Sequence, residues 1–346
     1  MVAISTNSLY ATMALSIARA RDQLATAQTE ATTGQHADIG LALGARAGQD
    51  ISLRNQTSIL DAMVAANGLV STRLTATQSA LDAMRSSAQG ALQTLASGAT
   101  GGTALSTLGS NALGALTSAL NASAAGEFVF GGINTGAPPL MDYFASGGST
   151  AKSAVENSFT TTFGKPIADV SNAQITGAQM TAYLNGPFAR QFEGANWPSN
   201  WSAASSVNRT ATIAPGVDVT LTSNANQPGV QLLAQGYAML SEFGGATLGA
   251  DARQAVVDKA SSLIGAGLAD LTSMETANGA TQSRVRDATS GMNATLSLLQ
   301  SQGAALDGVD QYQAAATVNA LTTQIQTAYE LTAQLQQLSL SKYLPT

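Results

Sequence analysis

Cysteine is absent from the 346 residues, which excludes disulfides, thiolate metal sites and cysteine nucleophiles. Histidine occurs once, as His36, and leaves little from which to build a histidine metal centre or a Ser-His-Asp triad. Beside Gly34 and Gly40 it reads as a solvated loop residue. Aromatic residues make up 5 % of the chain and charged residues 10 %, against a usual charged share of about 25 %. The net charge is −6, and the 15 Lys and Arg are scattered, so no basic face exists for nucleic-acid phosphates. No apolar run approaches the ~20 residues of a membrane span. The N-terminus lacks the basic and apolar regions of a cleaved signal peptide, so export would need a route without signal cleavage.

What is present is a pair of long heptad seams. Alternating steps of three and four from Leu53 reach Leu60, Met63, Asn67, Val70, Leu74, Leu81, Met84, Ala88, Ala91 and Leu95, with no proline in the run. A helix over residues 51–97 would be roughly 70 Å long, too thin to bury its own stripe. The same stepping from Val257 passes Ile264, Leu271, Met274, Asn278, Val285, Met292 and Leu299. Two seams separated by a dissimilar middle imply an antiparallel pair, and Leu60, Met63, Val70, Leu74, Leu81, Ile264, Leu271, Val285 and Met292 are its expected packing residues. Asn67 and Asn278 fall at a positions, where each either fixes register or tilts to the rim.

Outside these seams, the first segment opens with the polar run Ser5–Ser8. Met13, Ile17, Ala20, Leu24 and Ala27 then recur at heptad steps up to a stop at Gly34. Residues 35–49 read as an irregular connector. A shorter helix is expected around Leu105–Leu120, then a short strand and turn over Glu127–Asn134. From Gly136 to about Gln227 the character changes: seven of the eight prolines lie between Pro138 and Pro228, and both tryptophans fall in this stretch. Val217, Val219 and Leu221 alternate with polar residues as a half-buried strand does. A helix returns at Val230–Phe243. The register of the second seam breaks near Gly308, and Val318, Leu321, Ile325, Leu335 and Leu338 make a final apolar stripe.

The fold class is therefore mainly α: a long antiparallel helical coiled coil formed by the N- and C-terminal parts, with an inserted small β-rich (α+β) outer domain. The expected divisions are 1–40 with 310–346 as a terminal coiled-coil assembly domain, 41–135 with 228–309 as a helical rod domain with a β-hairpin, and 136–227 as the insert. Met13, Ile17, Leu24, Val318, Leu321, Ile325, Leu335 and Leu338 form the expected assembly seam, because two thin helices cannot cover one another's apolar surface. No catalytic, cofactor or metal constellation emerges. Asp142, Glu156, Asp169 and Glu193 show no spacing that specifies a glycosidase pair. Tyr143, Phe144, Phe188, Phe192, Trp197 and Trp201 are either the core of the insert or a carbohydrate platform.

Four stretches resemble the bacterial flagellin family: Ile4–Asn7, Thr32–Gln35, Gly126–Leu140 (GEFVFGGINTGAPPL) and Thr323–Leu344, with a weaker match at Gln282, Arg284 and Val285. The likeness covers roughly residues 1–140 and 275–346. GGINTGAPP and the compact insert are similar to the family's members at the join of hook and filament, rather than to filament subunits. The resemblance implies terminal helices that order on assembly into a ring or tube. The implied partners are further copies, another hook-associated protein, flagellin and an export chaperone. It also implies an extracellular place on the flagellum, reached by type III export.

Overall fold

The computed structural model describes residues 6–98, 101–221 and 223–341, with side chains from Ala11 to Gln334. The chain divides into two compact units, Met1–Ala62 with Met292–Thr346, and Met63–Gly291.

In the first unit α1 (Thr6–Thr33) pairs with α10 (Gln311–Ser341). The pairing is antiparallel, since Arg21 lies over the Tyr329 ring and Gly34 lies against Gln311. Gly34 ends α1 at a φ of 72°, which a side-chain-bearing residue tolerates poorly. Its carbonyl accepts from Val309 N at 2.9 Å, and His36 N donates to the Asp307 carbonyl at 2.9 Å, which stitches the two inter-helix turns together. The expected connector at 35–49 is more regular than its glycines suggest. Asp38 caps a short helix α2 (Ile39–Leu43) by accepting from Leu41 N at 2.9 Å, and Leu43 is buried. The long helix α3 (Ala47–Ala96) accordingly begins before Ile51, and α9 runs Ala250–Asp307.

In the second unit α3 and α9 run antiparallel, held by Asn67 to Thr289, Asn278 to the Leu74 carbonyl and Arg85 to Glu275. Against them lie α4 (Gly102–Leu120) and α8 (Pro228–Gly244), themselves in intimate contact. At Gly109 an added Cβ would sit 2.2 Å from Ser241 N, so the two backbones meet where neither helix has room for a side chain. Strands β1 (Ser123–Ala124) and β2 (Glu127–Phe128) form a tight hairpin whose turn places Ala125 and Gly126 at positive φ.

The insert holds α5 (Thr150–Phe163), α6 (Gly177–Tyr183), α7 (Asn196–Asn200) and a second antiparallel hairpin, β3 (Thr210–Ala214) with β4 (Val217–Thr220). Besides that hairpin it holds an isolated antiparallel bridge, Leu140 with Ser202, among short helices and irregular segments. Ser149 caps α5 and Gly164 ends it, while Thr176 and Gln179 form a reciprocal capping box on α6. One hydrophobic core runs without a break from Leu81, Leu116 and Leu240 through Phe159 and Phe188 to Trp197 and Trp201. A smaller cluster, Leu74, Ile213, Val219, Leu221 and Val285, seats the β3–β4 hairpin on α3 and α9.

Candidate assembly surface

Apolar surface is left over on the terminal pair, as it is elsewhere at Leu41, Ile51, Leu69, Val170 and Val207. Along α1 the residues buried against α10 are the small ones, Ala20 and Ala27, and from α10 come Leu321 and Ile325, each about nine-tenths buried. Met13, Ile17, Leu24 and Val318 are half-buried. Leu15, Tyr329 and Leu331 keep 53 %, 43 % and 46 % of their surface in solvent. Alanines let the helix axes approach, and the larger residues beside them are pushed to the flanks, where two helices cannot enclose them. The side chains of Leu335 and Leu338 lie outside the described residues, as do Ile4 and Ser5.

Of the expected packing residues, Leu74, Leu81, Ile264, Leu271, Val285 and Met292 are buried, and Leu60, Met63 and Val70 are half-buried. Asn67 and Asn278 are both almost fully buried. Asn67 Nδ2 donates to the Ile213 carbonyl at 2.8 Å and to Thr289 Oγ1 at 3.0 Å, and so ties α3 at once to α9 and to the hairpin. Asn278 Nδ2 donates to the Leu74 carbonyl at 3.1 Å and to Gln78 Oε1 at 2.9 Å. Each satisfies partners available only in this alignment, which is how a buried amide fixes register.

Two polar clusters have no heptad signature. Arg73, mostly buried on α3, donates to Glu127 Oε2 at 3.1 Å and to the Phe128 carbonyl at 2.8 Å. Glu127 also accepts from Arg209, so one carboxylate pins both hairpins to the helix. Burial, and then the neighbouring Arg209, lower the Arg73 pKa below the usual arginine value. In the first unit Arg54 donates through Nε to Asp50 Oδ2 at 2.8 Å and through Nη2 to Asp307. The hydrogen bond to Asp50 is the largest influence raising its pKa. Asp50 and Arg54 stand at i and i+4, a spacing legible in sequence. Asp307 lies 253 positions from Arg54 and could not be anticipated.

The aromatic side chains do not form a platform. Tyr143, Phe188, Phe192, Trp197 and Trp201 are at most 1 % exposed, with Trp197 and Trp201 stacked at 5.8 Å, and only Phe144 reaches solvent. The Trp197 indole donates to Asn226 Oδ1 at 2.9 Å and that of Trp201 to the Gln191 carbonyl at 3.1 Å, so their polar ends are already used. Among the described residues no group of three or more His, Asp or Glu is placed to hold a metal ion. No described helix is long and apolar enough to cross a membrane.

The N-terminal helical region of bacterial flagellin matches residues 4–135, and the C-terminal helical region of bacterial flagellin matches residues 261–344. Together they span more than half of the chain, which belongs to the bacterial flagellin family. It is accordingly a structural, non-enzymatic subunit of the bacterial flagellum. No curated protein matches it. A solved structure described as a flagellar hook-associated protein from Vibrio parahaemolyticus is similar at 12 % identity with a TM-score of 0.49, over 75 % of this chain and 96 % of that one.

Proposed function

We propose that this subunit is the adaptor that joins hook to filament, assembling through its terminal helices into a ring or short tube. The observation that carries the reading is the apolar flank of the α1–α10 pair, with Leu15, Tyr329 and Leu331 uncovered. Ordering such helices costs ~1 to 2 kcal/mol per residue, and neighbouring copies offset it by burying apolar surface at about 25 cal/mol per Å². Head-to-tail contacts of this kind build open helical arrays rather than closed pairs. Residues 1–40 and 310–346 act as the assembly part, 41–135 and 228–309 as the helical part, and 136–227 as the outward-facing part. The seam extends to Leu335 and Leu338.

The junction role, as opposed to a filament role, is supported by the segment Gly126–Leu140. It is clamped rather than loose: the Asn121 side chain both donates to the Leu140 carbonyl and accepts from Leu140 N, each at 2.9 Å. Its neighbours are then another hook-associated protein on one side and flagellin on the other. Export follows the type III route to the outside of the cell, with a chaperone shielding the C-terminal helix beforehand.

A strain lacking the protein should carry hooks without filaments and shed filament subunit into the medium. Deleting Gln324–Thr346 should abolish incorporation while the unit Met63–Gly291 keeps its fold by circular dichroism. Normal filaments on cells carrying the truncated chain would refute the role given to the terminal stripe. The rival within the family is a filament subunit. Vigorous elongation of purified protein from seeds would establish that rival in its place.

A further inference from the structure

Within the unit Met63–Gly291, where both hairpins meet α3 and α9, there is a cavity of about 10 Å³. Arg73, Leu74 and Thr77 of α3 line it, with Asn278 of α9, Val129 just after β2 and Ser223 just after β4. Its polar side chains are buried: Arg73, Thr77, Ser223 and Asn278 are 8 %, 4 %, 7 % and 2 % exposed. Their hydrogen-bonding capacity is not used up. The Ser223 hydroxyl makes no hydrogen bond among the described residues. Asn278 spends Nδ2 on the Leu74 carbonyl and on Gln78 Oε1, and no donor among the described residues reaches its Oδ1. Thr77 Oγ1 donates to the Arg73 carbonyl at 3.0 Å and keeps its lone pairs. Arg73 engages Glu127 through Nη1 and the Phe128 carbonyl through Nη2, with N–H donors to spare. A buried hydroxyl and a buried amide oxygen left without partners are costly.

We infer that this cavity is the binding site of a single structural water, which accepts from Ser223 and Arg73, donates to Asn278 Oδ1 and Thr77 Oγ1, and so fastens the foot of the β3–β4 hairpin to both long helices. Size and chemistry select the ligand together. A space of this volume takes about one water, and a water held in a protein interior needs two to four polar partners, which these four side chains supply. A metal cation would stand against the Arg73 guanidinium, and a chloride ion against the Asn278 amide oxygen. Water serves a donor and an acceptor at once. The inference does not depend on the hook-to-filament role, since it concerns how the unit Met63–Gly291 holds its hairpins.

A high-resolution crystal structure of the full chain reads the site directly. One solvent peak should lie about 2.6 to 3.2 Å from polar atoms of at least three of Arg73, Thr77, Ser223 and Asn278. An empty cavity in a map that resolves other buried waters would overturn the inference. So would a peak that gains the anomalous signal of bromide when bromide replaces chloride in the crystal, because the ligand would then be an anion. Ser223→Val gives a second reading through thermal melting followed by circular dichroism. Its methyl groups take the place of the hydroxyl and displace the water, so the solvent peak should be lost and the melting temperature should fall as Asn278 Oδ1 loses its donor. In a dry cavity the same methyl groups would fill a void, and a raised melting temperature would therefore count against the water. The map of the wild-type chain decides the matter even if this variant does not fold.

Discussion

Glu242 on α8 is a carboxyl whose environment works against its charge. Burial is the main cause of its raised pKa, opposed by Lys152 and by the nearby Tyr143 hydroxyl, while Glu156 pushes it further up. The folded chain therefore holds this proton more tightly than the unfolded chain. The associated stability is fully present below the ordinary value of 4.5 and is lost as pH rises through the folded pKa. Glu242→Gln removes the penalty of burying the charge, so it should raise the melting temperature at about pH 7.5 and give little gain at about pH 4. Calorimetry at the two pH values reads the difference. A buried amide carries the opposite lesson. Asn67→Ala would strip the Ile213 carbonyl and Thr289 of their donor and should cost about 1 to 3 kcal/mol in urea unfolding, with faster amide exchange in the β3–β4 hairpin. The heptad position of Asn67 was legible in sequence. Its carbonyl partner, 146 residues away on a strand, was not.

At the scale of elements, α4 and α8 show how glycine position decides helix packing. Gly109 sits where a Cβ would clash with the Ser241 and Leu240 backbone, whereas a Cβ at Gly114 of the same helix would meet nothing within 4 Å. Gly109→Ala should therefore destabilise by about 1 to 3 kcal/mol through overpacking, while Gly114→Ala should stabilise by roughly 0.5 to 1 kcal/mol through helix propensity. Equal effects in chemical denaturation would contradict the close approach. The long helices were readable because α1, α3, α9 and α10 repeat their apolar residues over many turns. The short ones were not. Helix α2 spans five residues among glycines, and α6 runs through a π-type stretch at Leu184–Phe188, containing Pro187, into a further short turn of helix. Pieces of that length are shorter than any window in which a period of 3.6 can be told from chance, so prolines and tryptophans dominated the reading of the insert.

Across the whole molecule, the paired long helices could be read from periodicity, and the family from four short stretches. The Asp50–Arg54–Asp307 cluster could not, because it joins the start of one long helix to the end of another. Nor could the continuity of the aromatic side chains with the helical core be foreseen, since composition marks residues 136–227 as different without saying what they pack on. Phe159 and Phe188 both stack or edge against Phe243 of α8, with ring centroids 5.5 and 5.4 Å apart. Replacing Trp197 with Ala should therefore cost about 3 to 5 kcal/mol and shift the calorimetric transition of Met63–Gly291 as one peak, without splitting it. That shared interior limits how the gene can be shuffled. A recombination event that exchanged only codons 136–227 with a relative would strand Phe243 among foreign neighbours. The heritable cassette must include α8 and the facing stretches of α4 and α9, and diversity should arise by point substitution at exposed positions such as Ile133, Phe144, Val170 and Val207.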